Sequence, residues 1–398
     1  MKSRHVMTFN AGSSSIKFAL FETDGTSLSA IASGLVEMVG GKRHFEARNS
    51  AGAKTHADSW TGEAGEPFHA DALRRILDWR GDAYPAADIS AAGHRVVHGG
   101  IKYAAPVVVT EEVLRELHAL VPLAPLHEPH NIAAILAARS AWPDIPQVAC
   151  FDTAFHRSHP FVNDVFALPR SYFDEGVRRY GFHGLSYEYV SHRLQQIAPR
   201  HAAGLVVVAH LGNGASMCAM RDGHSVASTM GFTALDGLPM GTRCGQVDPG
   251  VLLYLMQEKR MNAEQIADLL YNQSGLKGLS GVSHDMRELE ASDRPEAREA
   301  IEYFVARIRR ELGGLAATLE GIDAIVFCGG IGEHAWRIRQ RVLESMQWIG
   351  VELDTAANQN GAQIISSERS RVRVFVIPTN EEIMIATHTL AAAEQSTR

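Results

Sequence analysis

"MTFNAGSSSIKFALFETDG", residues 7–25, reads as a buried strand, a polar turn and a second strand. Met7 and Phe9 lead into Asn10-Ala11-Gly12-Ser13-Ser14-Ser15-Ile16-Lys17, after which Phe18, Ala19, Leu20 and Phe21 resume the apolar run. A hairpin needs only Asn-Gly or Asp-Gly at its turn, and Asp24-Gly25 supplies one at the far end of the second strand. The first polar cluster is therefore available for more than turning the chain. Gly, Ser and Asn suit close approach to anionic oxygens, because backbone N–H groups and small hydroxyls can converge where large side chains are absent.

A later stretch, "LVVVAHLGNGASMCAMRDGHSVAS" (205–228), repeats the pattern: apolar strand, polar turn with Asn and Gly, second strand, then Asp222-Gly223. Other strand-like runs fall at 94–98, 147–151, 324–328 and 373–377. They alternate with helical patterns at 111–121, 131–140, 184–197, 249–258, 263–271, 295–320 and 335–346, the signature of α/β architecture. In the longest helix Asp293 stands as the cap, Pro295 suits the first turn, and Ile301, Phe304, Val305, Ile308 and Leu312 recur at helical spacing. Residues 40–70 are polar and weakly patterned and read as small hairpins and loops. One such hairpin in each half suggests a duplicated domain, with a boundary near residue 150 and the last helix, from about 385, returning to the first copy.

Composition narrows the classes. The 398 residues are 45% hydrophobic and 21% charged, which fits a soluble protein with ample core. A net charge of -7 gives no basic excess for nucleic acid or an anionic membrane surface. The first apolar run is interrupted at Thr8 and Asn10, too soon for a signal peptide or a membrane span. Cys150, Cys218, Cys244 and Cys328 form no CxxC, so reduced thiols in a cytoplasm are expected.

Neither a Walker A sequence nor a G-x-G-x-x-G between strand and helix is present. Three turns rich in Gly, Ser or Asn offer another route to phosphate: 10–17, His210-Leu211-Gly212-Asn213-Gly214, and Cys328-Gly329-Gly330-Ile331-Gly332-Glu333-His334. Together they point to a nucleotide.

With these turns in view, the chain resembles the acetate kinase family of the sugar-kinase and actin superfamily. Asn10 to Lys17 resembles its first signature and "MGFTALDGLPMGTRCGQVDPG" (230–250) its second. "HRVVHGG" (94–100), "APLHEPHN" (124–131), "FDTAFH" (151–156), "RRYGFHG" (178–184), "HLGNG" (210–214) and "PTNEE" (378–382) follow the family's order over essentially the full length. The resemblance implies a two-domain, duplicated βββαβαβα fold of the ribonuclease H-like kind, with the active site in the interdomain cleft. It implies an N-terminal acyl and phosphate domain of residues 1–150 and 386–398, and a nucleotide-binding domain of residues 151–385. The implied reaction is ATP + acetate ⇌ ADP + acetyl phosphate with Mg²⁺, for which Mn²⁺ can substitute. A homodimer is implied by the resemblance alone; no nucleic-acid or membrane partner is expected.

The chemistry is consistent with the residues. A carboxylate with a pKa of roughly 4 is already ionised at neutral pH and needs no general base. The site must instead hold two anions together and spread the charge of the transferring group. Val96-Val97 argues for a strand, whose alternation puts Arg95 and Val97 on one face, a cation beside an apolar surface as a short fatty acid requires. The resemblance implies that Arg243 is a second phosphoryl clamp, that His183 donates to the equatorial oxygens and that His127 helps bind the phosphoryl group. It places Leu126, Phe182 and Ala234 at the acyl pocket. Asp152 is catalytic by resemblance, and orientation of Arg95 is the role favoured for it, since no proton need move. Asn10 and Glu381 are implied to anchor Mg²⁺, partly through water, and Lys17 to contact phosphates. The nucleotide falls to His210, Leu211, Gly212, Asn213 and Gly214, to Asp285, Met286 and Arg287, and to Gly330, Ile331, Gly332, Glu333 and His334.

The chain departs from the family pattern at several points. Glu128 stands where Asn is expected after His127, and Ala234 replaces a Pro, which enlarges the acyl pocket so that propionate is accepted beside acetate. Leu185-Ser186-Tyr187 replaces Thr-Ser-His, Gln246 replaces an acid whose loss leaves Arg243 either less tightly oriented or freer to meet phosphate, and His334 replaces Asn. Three rival readings compete with this one. A zinc metallohydrolase is suggested by the spacing of His94/His98, His127/His130 and His156/His159, but Val-Val and Pro129 interrupt two of these pairs and no H-E-x-x-H occurs. A non-catalytic ATP-binding scaffold would need the glycine turns but not Arg95, His183 and Arg243. A propionate kinase of the same family is the third.

Overall fold

Asn10 and Lys17 face one another across the first hairpin, where β1 (Arg4–Ala11) pairs antiparallel with β2 (Ser15–Thr23). The computed structural model describes residues 4–12, 14–25, 27–62, 67–125 and 127–396. These fall into two compact units: the residues up to Phe155 together with those from Asn380 onward, and His156–Thr379. Asp152 and Glu381 therefore both belong to the first unit, whereas division at 150/151 and 385/386 would assign them to the second.

The stretch read as small hairpins and loops does hold hairpins, but they extend the main sheet and lead into a helix. β3 (Leu28–Val39), β4 (Lys42–Asn49) and β5 (Lys54–Trp60) continue the sheet antiparallel from β2, and α1 (Phe68–Ala83) follows. The sequence pattern hides them because a charge occupies an inward position. Arg43 on β4 is 5% exposed and pairs with the buried Asp71 of α1, whose carboxylate also accepts from the Trp60 indole. A buried ion pair reads locally as a polar loop. The apolar half of the same layer is ordinary: Phe18, Phe45, Leu73, Ile76 and Trp79 share one core.

β6 (Ile89–Val96) runs parallel to β1. After β7 (Val107–Val108), α2 (Glu111–Leu120) and α3 (Glu128–Ala141), β8 (Gln147–Phe151) runs parallel to β6. The sheet order is β5-β4-β3-β2-β1-β6-β8-β7. The C-terminal helix Glu381–Ser396 packs on this sheet at Gly93, where a Cβ would meet Thr389 Oγ1 at 2.0 Å and Ile385 Cγ2 at 2.7 Å. Only glycine lets the helix approach β6 so closely.

The second unit is built on β9 (Leu205–Leu211), β10 (Ala215–Arg221), β11 (His224–Ser228), β12 (Ala324–Cys328) and β13 (Arg373–Val376), in the order β11-β10-β9-β12-β13. Here too the first three strands form an antiparallel meander, and the first strand pairs parallel with the fourth, which pairs parallel with the fifth. The first unit has that arrangement in β3-β2-β1-β6-β8, so the fold is duplicated, as the two hairpins suggested. Asp222 and Gly223 join β10 to β11 with φ of 51° and 76°, the positive values a two-residue I′ turn requires. The helix Pro295–Leu319 buries Ile301, Phe304, Val305, Ile308 and Leu312. Its N-cap is Arg294 without a side-chain cap, not Asp293; Pro295 at the first position already removes one donor that a cap would satisfy.

Candidate active site

In the first unit four predicted residues form one hydrogen-bonded cluster at the ends of the central strands. Arg95, near the end of β6, directs Nε at both carboxylate oxygens of Asp152, each 3.1 Å away, and Nη2 at Oδ2, 2.5 Å away. Arg95 Nη1 donates to Asn10 Oδ1 at 3.3 Å, and Asn10 Nδ2 donates to Glu381 Oε2 at 2.8 Å. Burial alone would lower the pKa of Arg95; Asp152, Glu381 and Glu382 outweigh it and hold the guanidinium charged. Lys17, the cross-strand partner of Asn10, is exposed and shares its face. The Asn10 amide oxygen, here accepting from Arg95, and the Glu381 carboxylate, here accepting from the Asn10 amide nitrogen, are hard oxygen donors within one cluster, the ligand chemistry that suits a cation keeping most of its water.

Val97 is not part of the strand. β6 stops at Val96, so alternation does not place the Val97 side chain. Its N–H instead donates to Asn131 Oδ1 at 3.0 Å, while Asn131 Nδ2 donates to the Ala11 carbonyl at 2.9 Å. Asn131, fully buried on α3, thus ties the segment after Arg95 to the segment after Asn10. The sequence reading missed this residue, although an amide beside Ile132, Ala134 and Ile135 was a visible signal. His127 is the N-cap of α3 and half-buried. Leu126 lies outside the described residues. Glu128, at the first position of α3, is fully buried, and burial raises its carboxyl to about 8; the His98 backbone N–H and Arg95 oppose that rise and Asp152 adds to it.

The second unit gathers another set. His183 Nδ1 lies 2.8 Å from Ser216 Oγ, and its ring stacks on His210 with centroids 4.3 Å apart. A Cβ built on Gly214 would sit 3.0 Å from Arg243 Nη2 and 3.3 Å from His183 Nε2, so the two side chains border the same small space. Arg243 Nη1 donates to the Ala234 carbonyl at 2.9 Å. Gly241 N–H donates to the Asn213 carbonyl at 3.0 Å, bringing the second signature against the His210–Gly214 turn. Phe182 is buried, with its carbonyl accepting from His156 Nε2 at 3.0 Å.

Cys328 pairs with His210 in the sheet, which sets the Gly330–His334 stretch beside the same turn. That stretch is itself the helix Gly329–His334, not a turn ahead of one. Glu333 Oε1 accepts from the Thr379 N–H at 3.1 Å, whereas His334 is exposed. Asp285 caps the helix Met286–Ala291 and pairs with the exposed Arg287, which holds its carboxyl at about 2. Met286 is buried; among the described contacts neither Asp285 nor Arg287 touches the His183–Arg243 group. Gln246 does not act on Arg243: its side-chain Oε1 accepts from Arg307 at 2.7 Å and from Arg310.

Four histidines of the three pairs, His94, His130, His156 and His159, serve packing and hydrogen bonding. His94 stacks on Phe9 and bonds Gln147, His130 stacks on His69, and His156 and His159 share the Ser225 hydroxyl. Burial lowers His94 and His156 to about 4. Among the described residues no three His, Cys, Asp or Glu side chains gather as a metal site.

A duplicated α/β sheet pair with an arginine–carboxylate cluster in one unit and an arginine–histidine group beside a glycine turn in the other defines a two-unit kinase fold. The chain belongs to the acetokinase family, whose model matches residues 5–387. It is 70% identical to an acetate kinase of Methylocella silvestris over 99% of both chains. The solved acetate kinase of Porphyromonas gingivalis is similar at 36% identity and a TM-score of 0.85, covering 98% of this chain and 99% of its own. A propionate kinase from Francisella tularensis is similar at 35% identity and a TM-score of 0.89, with the same coverage.

Proposed function

We propose that this chain is an acetate kinase that transfers the γ-phosphoryl group of ATP to acetate, reversibly, by direct in-line attack. An acetate oxygen forms the new bond to phosphorus as the bond to the bridging oxygen of ADP breaks, and no proton moves at neutral pH. The observation that carries the reading is the grip of Asp152 on Arg95, which presents a permanently charged, oriented guanidinium to an incoming carboxylate.

In the first unit Arg95 binds the carboxylate, Val97 meets the acyl chain and Lys17 and His127 contact phosphate. Asn10 and Glu381 hold Mg²⁺, which when bound neutralises phosphate charge; Mn²⁺ substitutes for it. In the second unit Arg243 and His183 stabilise the transferring phosphoryl group, and Phe182 and Ala234 contact the acyl chain. The His210–Gly214 turn, Asp285–Arg287 and Gly330–His334 hold the nucleotide. Propionate is the second substrate, since Ala234 offers only a methyl group and one methylene is worth only about 1–3 kcal/mol.

The chain acts as a homodimer. The helix Pro249–Gln257 buries no side chain and exposes Val251, Leu253, Tyr254 and Met256, an apolar surface that a second copy would cover. Four cysteines outside any disulfide, three of them buried, support a cytoplasmic location. No helix among the described residues is long and apolar enough to cross a membrane.

An ATP-dependent acyl hydroxamate assay across acetate, propionate and butyrate, with and without Mg²⁺, tests the activity. Acetate turnover that needs the cation is expected; absence of acyl phosphate with every acid would refute it. Light scattering on the eluting protein reports the dimer.

A further inference from the structure

Tyr187 lies one turn beyond His183 on the helix Gly184–Ile197, and both Tyr187 and Ser216 of β10 are fully buried. The Tyr187 hydroxyl meets Ser216 Oγ at 2.5 Å, and the same Oγ lies 2.8 Å from His183 Nδ1. Among the described residues neither hydroxyl has another hydrogen-bond partner.

A serine hydroxyl has one proton to give and two lone pairs to accept with, and a tyrosine hydroxyl likewise has one proton. Suppose His183 carried its proton on Nδ1 and gave it to Ser216. The serine proton would then pass to the tyrosine oxygen and strand the tyrosine proton. If tyrosine and histidine both donated to Ser216, the serine proton would be stranded instead. A buried donor without an acceptor is costly. A single arrangement satisfies every hydrogen: Tyr187 O–H donates to Ser216 Oγ, and Ser216 O–H donates to His183 Nδ1. The two bonds point the same way, so each polarises and strengthens the other.

We infer that Ser216, oriented by Tyr187, is a positioning residue that fixes neutral His183 as its Nε2–H tautomer. The proton then sits on Nε2, at the space beside Gly214 that Arg243 also borders. Stacking on His210 holds the plane of the ring, and the left-handed backbone of His183, with φ of 57°, marks a conformation kept by its surroundings. This deepens the proposed reading of His183 as a donor to the phosphoryl oxygens and rests on it: the opposite tautomer would turn a lone pair toward those oxygens and repel them.

The test uses full-length protein labelled with ¹⁵N-histidine, with the His183 resonances assigned from a His183→Gln sample. Long-range ¹H–¹⁵N correlation is expected to show Nδ1 unprotonated and Nε2 protonated. Ser216→Ala should lose that single signature and lower kcat about tenfold while the KM values for acetate and ATP stay within about twofold. Ser216→Thr, which keeps the hydroxyl, should restore both, and Tyr187→Phe should fall between. A proton on Nδ1 of the unaltered protein, alone or in a doubly protonated ring, overturns the inference even if no variant folds. An unchanged signature in Ser216→Ala overturns it as well. Loss of the signature with kcat unchanged upholds the tautomer and removes His183 from the reaction, which separates the two claims.

Discussion

Asp152 engages Arg95 through both carboxylate oxygens, and the carboxylate itself is sealed from solvent, with its side chain 1% exposed. The backbone reinforces the pair: the Asp152 N–H donates to the Val96 carbonyl at 3.0 Å, so the acid is anchored to the strand that carries the arginine. This geometry separates orientation from binding charge. The arginine supplies the charge, and the aspartate decides where it points.

Asp152→Asn keeps the shape of the acid and removes the charge that holds the guanidinium. A reacting group misplaced by about 1 Å costs on the order of 10²-fold in rate. Steady-state kinetics should show kcat/KM for acetate reduced by about that factor, with the KM for ATP little changed. Wild-type kcat/KM for acetate in this variant would rule out an orienting role.

Gly214 is the point where a single methyl group intrudes on both Arg243 and His183. Its backbone does not lie in the positive-φ region, so alanine is tolerated conformationally. Gly214→Ala should therefore lower kcat by about 10- to 100-fold while the thermal midpoint moves by only a few degrees. A variant with unimpaired turnover would show that the space beside Gly214 is not used by the reacting groups.

Glu128 makes stability depend on pH in an unusual direction. Its carboxyl titrates at about 8 in the folded chain against 4.5 as the ordinary value, chiefly because burial disfavours the anion. Between these values the folded state keeps a proton that the unfolded chain has released, so this group lowers stability as pH rises from about 4.5 toward 8 and no further above it. Glu128→Gln should remove the slope. Relative to the unaltered protein, the variant should gain at most about 1.4 kcal/mol per pH unit across this window. Denaturant titrations at three pH values inside it provide the measurement, and a difference independent of pH would mean that the acid titrates normally.

Much of the fold was legible because its signals are local. The hairpin at β1 and β2 and that at β9 and β10 each announce themselves by apolar runs around a polar turn, and the long helix by its spacing of Ile301, Phe304 and Ile308. The residue types that phosphoryl transfer requires were visible for the same reason. β4 and α1 were not, since Arg43 and Asp71 each look solvent-exposed until the other is placed beside it.

By itself the sequence determined which chemical groups were available and which segments would be strand, turn or helix, because backbone preference and apolar period act over a few residues. Only the tertiary structure decided the pairings. Asn10 reaches Glu381 across 371 positions, Asn131 joins Ala11 to Val97, and Tyr187 reaches His183 through Ser216. Burial then set their properties, leaving Glu128 protonated and requiring every hydroxyl proton near His183 to find an acceptor. No local pattern encodes such facts, because solvation and hydrogen-bond satisfaction belong to the packed chain as a whole.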